Sequence, residues 1–167
     1  MAAVAVPTAP KAEPAPAVWN GVLTQEKVGL IQSSYAKIDE KIGALGFGKE
    51  FYTVLFEMAP AAQALFKSGR EAQSKMFAGM LTTLVKNIDN ADKVVPVLQA
   101  LATRHVRYGV KEAHFPIVGA GLLATLEKVL ATDFTPPVRE AWTELYGITQ
   151  TVMWAKMEEV IQGKPAE

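Results

Sequence analysis

The apolar residues of this chain recur at steps of three and four, and nowhere do they sustain alternation in steps of two. That period places apolar side chains along one face of a helix, so a chain built from it buries itself by packing helix on helix. Val28, Ile31, Tyr35, Ile38 and Ile42 form the first stripe, with Thr24 before it as an N-cap and Leu23 and Val28 spaced as a hydrophobic staple. Gly43, Gly46 and Gly48 interrupt it, and a second helix carries Phe47, Phe51, Tyr52, Leu55 and Phe56 as far as Ala59 and Pro60. A short connector at residues 61–66 follows. Beyond Gly69, the pairs Met76/Phe77, Met80/Leu81 and Leu84/Val85, then Ile88, predict a long amphipathic helix. Gln73 lies one turn before Phe77 on the same face. A turn at residues 89–92 leads to a helix with Leu98, Leu101, His105 and Tyr108, ended by Gly109. Pro116 fits the first turn of a helix over residues 117–130, and Thr135 caps a last helix that opens with Pro136 and Pro137. The expectation is an all-α fold of about seven helices in one domain.

A length of 167 residues, half of them apolar, suits one compact core and is short for two. Seventeen basic residues balance seventeen acidic ones, so charge gives no reason to expect nucleic acid or an anionic membrane as partner. No cysteine occurs, which excludes disulfides, zinc ribbons, iron–sulfur clusters and thiolate chemistry, and suits a cytoplasmic location. No apolar run is expected to approach the ~20 residues of a membrane span. Residues 1–22 read differently: Pro7, Pro10, Pro14 and Pro16 among Ala and Val block regular structure and predict a flexible tail. Proline interruptions and the lack of a basic start argue against a secretory signal. The tail is either without a specific role or a docking segment. The main domain is expected over residues 23–162, with a short C-terminal tail at residues 163–167.

Two histidines make the list of imidazole metal ligands short. His105 sits on the apolar stripe of its helix, seven residues after Leu98 and four after Leu101. Two readings stand side by side: a core imidazole bonded to a carbonyl, or an axial ligand projected from a rigid helix into an apolar cavity, which suits haem iron. His114 lies nine residues on, off the i+4 spacing of a two-histidine site, and reads as a capping or surface residue. Met76, Met80, Met153 and Met157 fall at helical spacing as core filler. No CxxCH, GxGxxG, GxxxxGK[ST] or GxSxG motif is present, so covalent c-type haem, dinucleotide, P-loop and serine-hydrolase chemistry lack their signatures.

Four stretches then match a known family in order and spacing. They are Phe51-Tyr52-Thr53-Val54-Leu55-Phe56 with Pro60 and Leu65-Phe66; Ala72-Gln73-Ser74-Lys75; Arg104-His105-Val106-Arg107-Tyr108-Gly109-Val110 with Ala113-His114-Phe115-Pro116-Ile117-Val118-Gly119; and Ala141-Trp142-Thr143-Glu144-Leu145-Tyr146-Gly147. Between Leu23 and Glu158 the chain resembles bacterial single-domain globins of the Vitreoscilla haemoglobin type and the haem domain of flavohaemoglobins. The resemblance implies a globin fold around non-covalent haem b, with His105 as the iron ligand. It implies Tyr52 and Gln73 as the distal pair, Phe77 one turn on, and Phe66 packing on the haem face. Leu101, Val110, Phe115 and Val118 correspond to pocket-lining positions, and Tyr108 joins the candidates for haem contact. Arg104 is either a propionate partner or a solvent-facing side chain. A tyrosine O–H and a glutamine N–H aimed at charge developing on a bound diatomic are worth about 1–3 kcal/mol each in a dry pocket, which favours tight retention. From its spacing alone, Tyr52 reads equally as a core tyrosine.

The chain departs from flavohaemoglobins on the proximal side. Their tyrosine after the ligand helix corresponds to Phe115, which has no hydroxyl, and their glutamate in the last helix aligns with Met157. A shift of one residue would bring Glu158 into that place. In the Met157 register, electron donation from the histidine is weakened and peroxidase-like bond cleavage disfavoured. The resemblance implies binding of O2, NO or CO for storage or transport. The alternative is a nitric oxide dioxygenase that turns O2 and NO into nitrate, fed by a separate reductase because no FAD- or NAD-binding segment follows residue 163. A sensor or a haem-free relic is a third class, opposed by the lack of fused signalling segments and by the joint presence of His105, Tyr52 and Gln73. Oligomeric state is left open.

Overall fold

The computed structural model describes residues 23–163, and the Ala/Pro-rich tail and the last four residues lie outside them. Helix α1 runs Gln25–Met58, and a 3-10 turn, Pro60–Leu65, follows it. Then come α2 (Arg70–Lys86), α3 (Ala91–Arg107), α4 (His114–Leu130), a 3-10 turn at Ala131–Asp133, and α5 (Pro136–Ile161). No strand occurs among the described residues. Thr24 caps α1 by accepting from the Lys27 N–H at 3.2 Å, and Thr135 caps α5 through the Val138 N–H at 3.5 Å.

Gly43 adopts φ 75°, a left-handed conformation that costs glycine little, and bends α1 into two arms. The glycine break expected between two helices is therefore this kink, while Gly46 and Gly48 stay helical. Counting both arms and both 3-10 turns gives eight helical segments among the described residues, where about seven are expected from the sequence. Helix α3 starts earlier than its apolar stripe suggests and carries Pro96 inside it. Pro96 and Val97 are exposed there, while Val94, Val95 and Leu98 anchor the helix in the core.

Helix α1 packs on α2, α4 and α5, and α3 packs on α5. Where α1 crosses α2, a Cβ on Gly48 would stand 2.6 Å from the Ser74 carbonyl oxygen. Only a glycine lets the two backbones come this close. Trp142 is fully buried beneath α1, and its indole N–H donates to Ser34 Oγ at 2.9 Å. Lys27 holds the start of α1 to Glu140 and Glu144 of α5.

One expectation needs correction. The segment His114–Asp133 is long and apolar enough to cross a membrane by length and composition, with mean hydropathy 1.4. In this fold α4 lies between α1 and α5, with Gly119, Leu122, Thr125, Leu126 and Leu130 buried. A helix with packed neighbours on two sides must be apolar over most of its circumference, which is why its composition resembles a span.

Candidate functional site

The Gly48–Ser74 crossing sets what lies beside it. Tyr52 stands one turn beyond Gly48, and Gln73 directly precedes Ser74. Tyr52 is buried among four phenylalanines, with ring centroids at 5.0 Å from Phe51, 5.7 Å from Phe56, 5.2 Å from Phe66 and 5.9 Å from Phe77. Phe51 and Phe77 stack face to face at 4.2 Å. Its hydroxyl has no hydrogen-bond partner among the described residues, and burial alone pushes its pKa up to about 12. The phenol therefore stays protonated and keeps an O–H to donate. Gln73 is half-buried one turn before Phe77. The structure thus brings Phe66 and Phe77 together around the Tyr52 ring. Sequence reasoning missed Phe51 and Phe56 as members of this cage, although their spacing around Tyr52 on one helix was the available signal.

Helices α2 and α3 face one another across a small apolar recess, lined by Met80, Thr83 and Leu84 on one side and Val94, Val97 and Leu98 on the other. Gln73, Phe77, Met80 and Leu84 share one face of α2 by their spacing, and Leu98, Leu101 and His105 share one face of α3. Of these residues, Met80 and Leu84 from α2 and Leu98 from α3 line the recess. His105 is half-buried, and its Nδ1–H donates to the Leu101 carbonyl at 2.9 Å, one turn back. That bond commits Nδ1 as the protonated nitrogen and leaves the Nε2 lone pair free to ligate. Burial lowers the His105 pKa, the Leu101 carbonyl opposes the shift, and the Arg104 charge adds to it, so the ring is neutral at pH 7.

Of the remaining candidates, Val110 and Tyr108 contact His105 directly. The Val110 N–H donates to the His105 carbonyl at 3.1 Å. Tyr108 is 52% exposed, with its ring 5.6 Å from the His105 ring. Arg104 is exposed and makes no ion pair among the described residues. Val118, Leu101 and Val110 are partly buried against the core. Phe115 is buried edge-on to Trp154 at 6.3 Å, and its carbonyl accepts from the Tyr146 hydroxyl at 2.7 Å. Met157 is fully buried whereas Glu158 is exposed, and Glu159 pairs with Lys156 at the surface. His114 serves a local turn, its Nδ1 accepting from the Lys111 N–H at 2.9 Å. Among the described residues, no group of three His, Asp or Glu side chains gathers to hold a metal ion. What the fold offers a metal is a single imidazole.

A comparison with known families matches residues 49–153 to the globins. The chain belongs to the globin family. It is 35% identical over 102 residues to a flavohemoprotein of Rhodopirellula baltica, covering 59% of this chain and 25% of that protein. It is 31% identical over 130 residues to a flavohemoprotein of Vibrio cholerae, covering 75% of this chain and 32% of that protein. This globin thus spans about a quarter to a third of the length of those relatives and corresponds to the haem-domain type. Among solved structures, an engineered carbene transferase from Rhodothermus marinus superposes with a TM-score of 0.77 at 24% identity, over 85% of this chain and 98% of that one. A hexacoordinated haem protein of an anhydrobiotic tardigrade gives 0.73 at 18% identity, over 82% and 96%. At such identities these two establish the globin fold. Globins and flavohemoproteins carry haem b without a covalent link, and that is the cofactor of this one.

Proposed function

We propose that this globin holds haem b through His105 Nε2 and binds O2, and other diatomics such as NO and CO, on the side of Tyr52 and Gln73. The observation that carries this reading is the His105 Nδ1–H donated to the Leu101 carbonyl, which presents a neutral imidazole with one free nitrogen from an apolar helix face. The Tyr52 hydroxyl supports it from the other side, as a donor on a buried residue without a protein acceptor among the described residues. Bound haem supplies an open coordination position for the diatomic. The chain's own residues orient the imidazole, exclude water with the phenylalanine cage, and aim the Tyr52 O–H into the pocket. Leu101, Val110, Phe115 and Val118 would line the haem, Phe66 and Phe77 would pack on its distal side, and Arg104 and Tyr108 would sit at its exposed edge. An absorption spectrum of the purified protein tests the assignment. A Soret band is expected, and its loss or displacement in His105→Ala, with recovery on added imidazole, supports the ligand. A parent protein that takes up no haem refutes the reading.

The likeness to flavohemoproteins favours a second reading on the same site, nitric oxide dioxygenation with electrons from a reductase. Rapid mixing of the oxygenated protein with NO separates the two, because slow or absent oxidation rejects the enzyme. The proximal side bears on this choice. Phe115 has no hydroxyl and meets Trp154, Met157 is buried and Glu158 is exposed, so among the described residues the His105 side chain has only a backbone acceptor. A weakly donating histidine is the expected result, and a high, peroxidase-like iron–histidine stretch in resonance Raman would overturn it. A cytoplasmic location belongs to the same proposal, and the absence of cysteine suits it.

A further inference from the structure

The cage around Tyr52 has two unlike halves. The inner half is Phe51 and Phe77, stacked at 4.2 Å with planes 1° apart. Both stand within helices, next to the Gly48–Ser74 contact, and Phe51 is 2% exposed. The buried Phe51 ring cannot swing without displacing Phe77 and the helix that carries it. The outer half is Phe56, Phe66 and Arg70. Phe56 lies in the last turn of α1, which ends at Met58. Phe66 follows the Pro60–Leu65 turn, which has no buried residue. Arg70 opens α2, is exposed, and makes no ion pair among the described residues. Its guanidinium lies 5.5 Å from the centre of the Phe56 ring, and the Phe56 and Phe66 rings are 5.5 Å apart. On this side Tyr52 is flanked by two half-buried rings, with one exposed cation over the nearer helix end. All three are carried on a helix end, a short turn and a helix start, the segments that open at least free-energy cost.

We propose that Arg70, by lying over Phe56, bars the outer mouth of the distal pocket and sets the rate at which a neutral diatomic reaches Tyr52. The proposal rests on the haem reading above. Passage requires Phe56 or Phe66 to rotate aside. Rotation of Phe56 breaks its contact with the guanidinium, and an exposed cation–π contact shifts such a population by about two- to five-fold. Arg70 therefore acts on access and leaves the polar contact at Tyr52 untouched. Gln73 stands between Arg70 and Phe77 on α2 and offers the competing route.

Flash photolysis of the CO complex of the full-length haem-loaded protein tests this. Arg70→Ala and Arg70→Gln are both expected to raise the bimolecular CO association rate by about two- to five-fold. Phe56→Leu is expected to raise it at least as much, and the double variant no further than Phe56→Leu alone. A thermal double-mutant cycle gives a second readout, because Arg70→Ala should lower Tm when Phe56 is present and not in Phe56→Leu. Unchanged CO rates in both Arg70 variants, with faster entry in Gln73→Ala, overturn the proposal and place the route at Gln73. Fully additive effects of the Arg70 and Phe56 changes overturn the latch. A parent protein without a Soret band overturns the haem reading and this proposal together, whereas a normal Soret band with unchanged rates overturns this proposal alone.

Discussion

Gly48→Ala probes the contact on which the distal side depends. The added methyl would stand 2.6 Å from the Ser74 carbonyl oxygen, 3.3 Å from its carbon and 3.4 Å from its Cα. All three atoms are backbone, so no side-chain rotation relieves the clash. Restoring ordinary contact requires the second arm of α1 and α2 to move apart by about 0.8 Å, and a gap of that size forfeits roughly a quarter to a half of each dispersion contact along the crossing. Overpacking of this kind costs about 1–3 kcal/mol, against a gain of up to about 1 kcal/mol from the helix propensity of alanine. A net loss of about 1–2 kcal/mol lowers Tm by roughly 2–8 °C for a domain of this size. Tyr52 and Gln73 flank the crossing, so O2 dissociation should quicken in the same variant. Gly79→Ala is the control. Gly79 lies on the exposed face of α2 with nothing within 4 Å of an added methyl, and it should raise Tm slightly. The assay is thermal melting of the ferric protein with stopped-flow O2 release. A Gly48→Ala protein as stable as its parent, or more so, refutes the reasoning.

Other outcomes follow from the same coordinates. Tyr52→Phe removes the phenolic O–H and should speed O2 dissociation by roughly ten- to a hundred-fold, as read by stopped-flow displacement with CO; an unchanged rate would show that the phenol does not face the ligand. Folding holds the Tyr52 proton to about pH 12 against an ordinary 10.0, and burial raises Tyr35 and Tyr146 in the same direction. The unfolded chain therefore binds fewer protons above pH 10, the stabilisation is complete below that value, and it is lost between about pH 10 and 12. Urea titrations across that window should show falling stability with a shallower slope in Tyr52→Phe, and a slope identical to the parent's contradicts the burial argument. Ser34→Ala leaves the indole N–H of Trp142 buried without its 2.9 Å acceptor and should cost about 1–3 kcal/mol in urea denaturation; a neutral result means that another acceptor takes over.

The sequence by itself determined the helices and most of their ends. Thr24 and Thr135 announce caps, the three-and-four spacing announces faces, and the cluster from Gly43 to Gly48 announces a break, because these signals act within a turn or two of the residue that carries them. It also singled out His105, and even the hydrogen bond that fixes its tautomer is local, reaching back one turn to Leu101. Only the tertiary structure decided which glycine bends α1 and which one lets α2 approach. Gly43 and Gly48 look alike in the chain, and what separates them is a left-handed φ at one and a carbonyl from another helix at the other. The same holds for the apolar α4, whose composition fits a membrane span until α1 and α5 are seen packed on it. It holds for Met157 and Glu158, where one residue of register separates a buried thioether from an exposed carboxylate. It holds above all for Tyr52, which its spacing leaves as a core tyrosine or a ligand donor. Its hydroxyl became interpretable only when Phe66 and Phe77 arrived from distant parts of the chain without bringing it an acceptor, since local periodicity fixes the face a residue occupies and not the groups that fold against it.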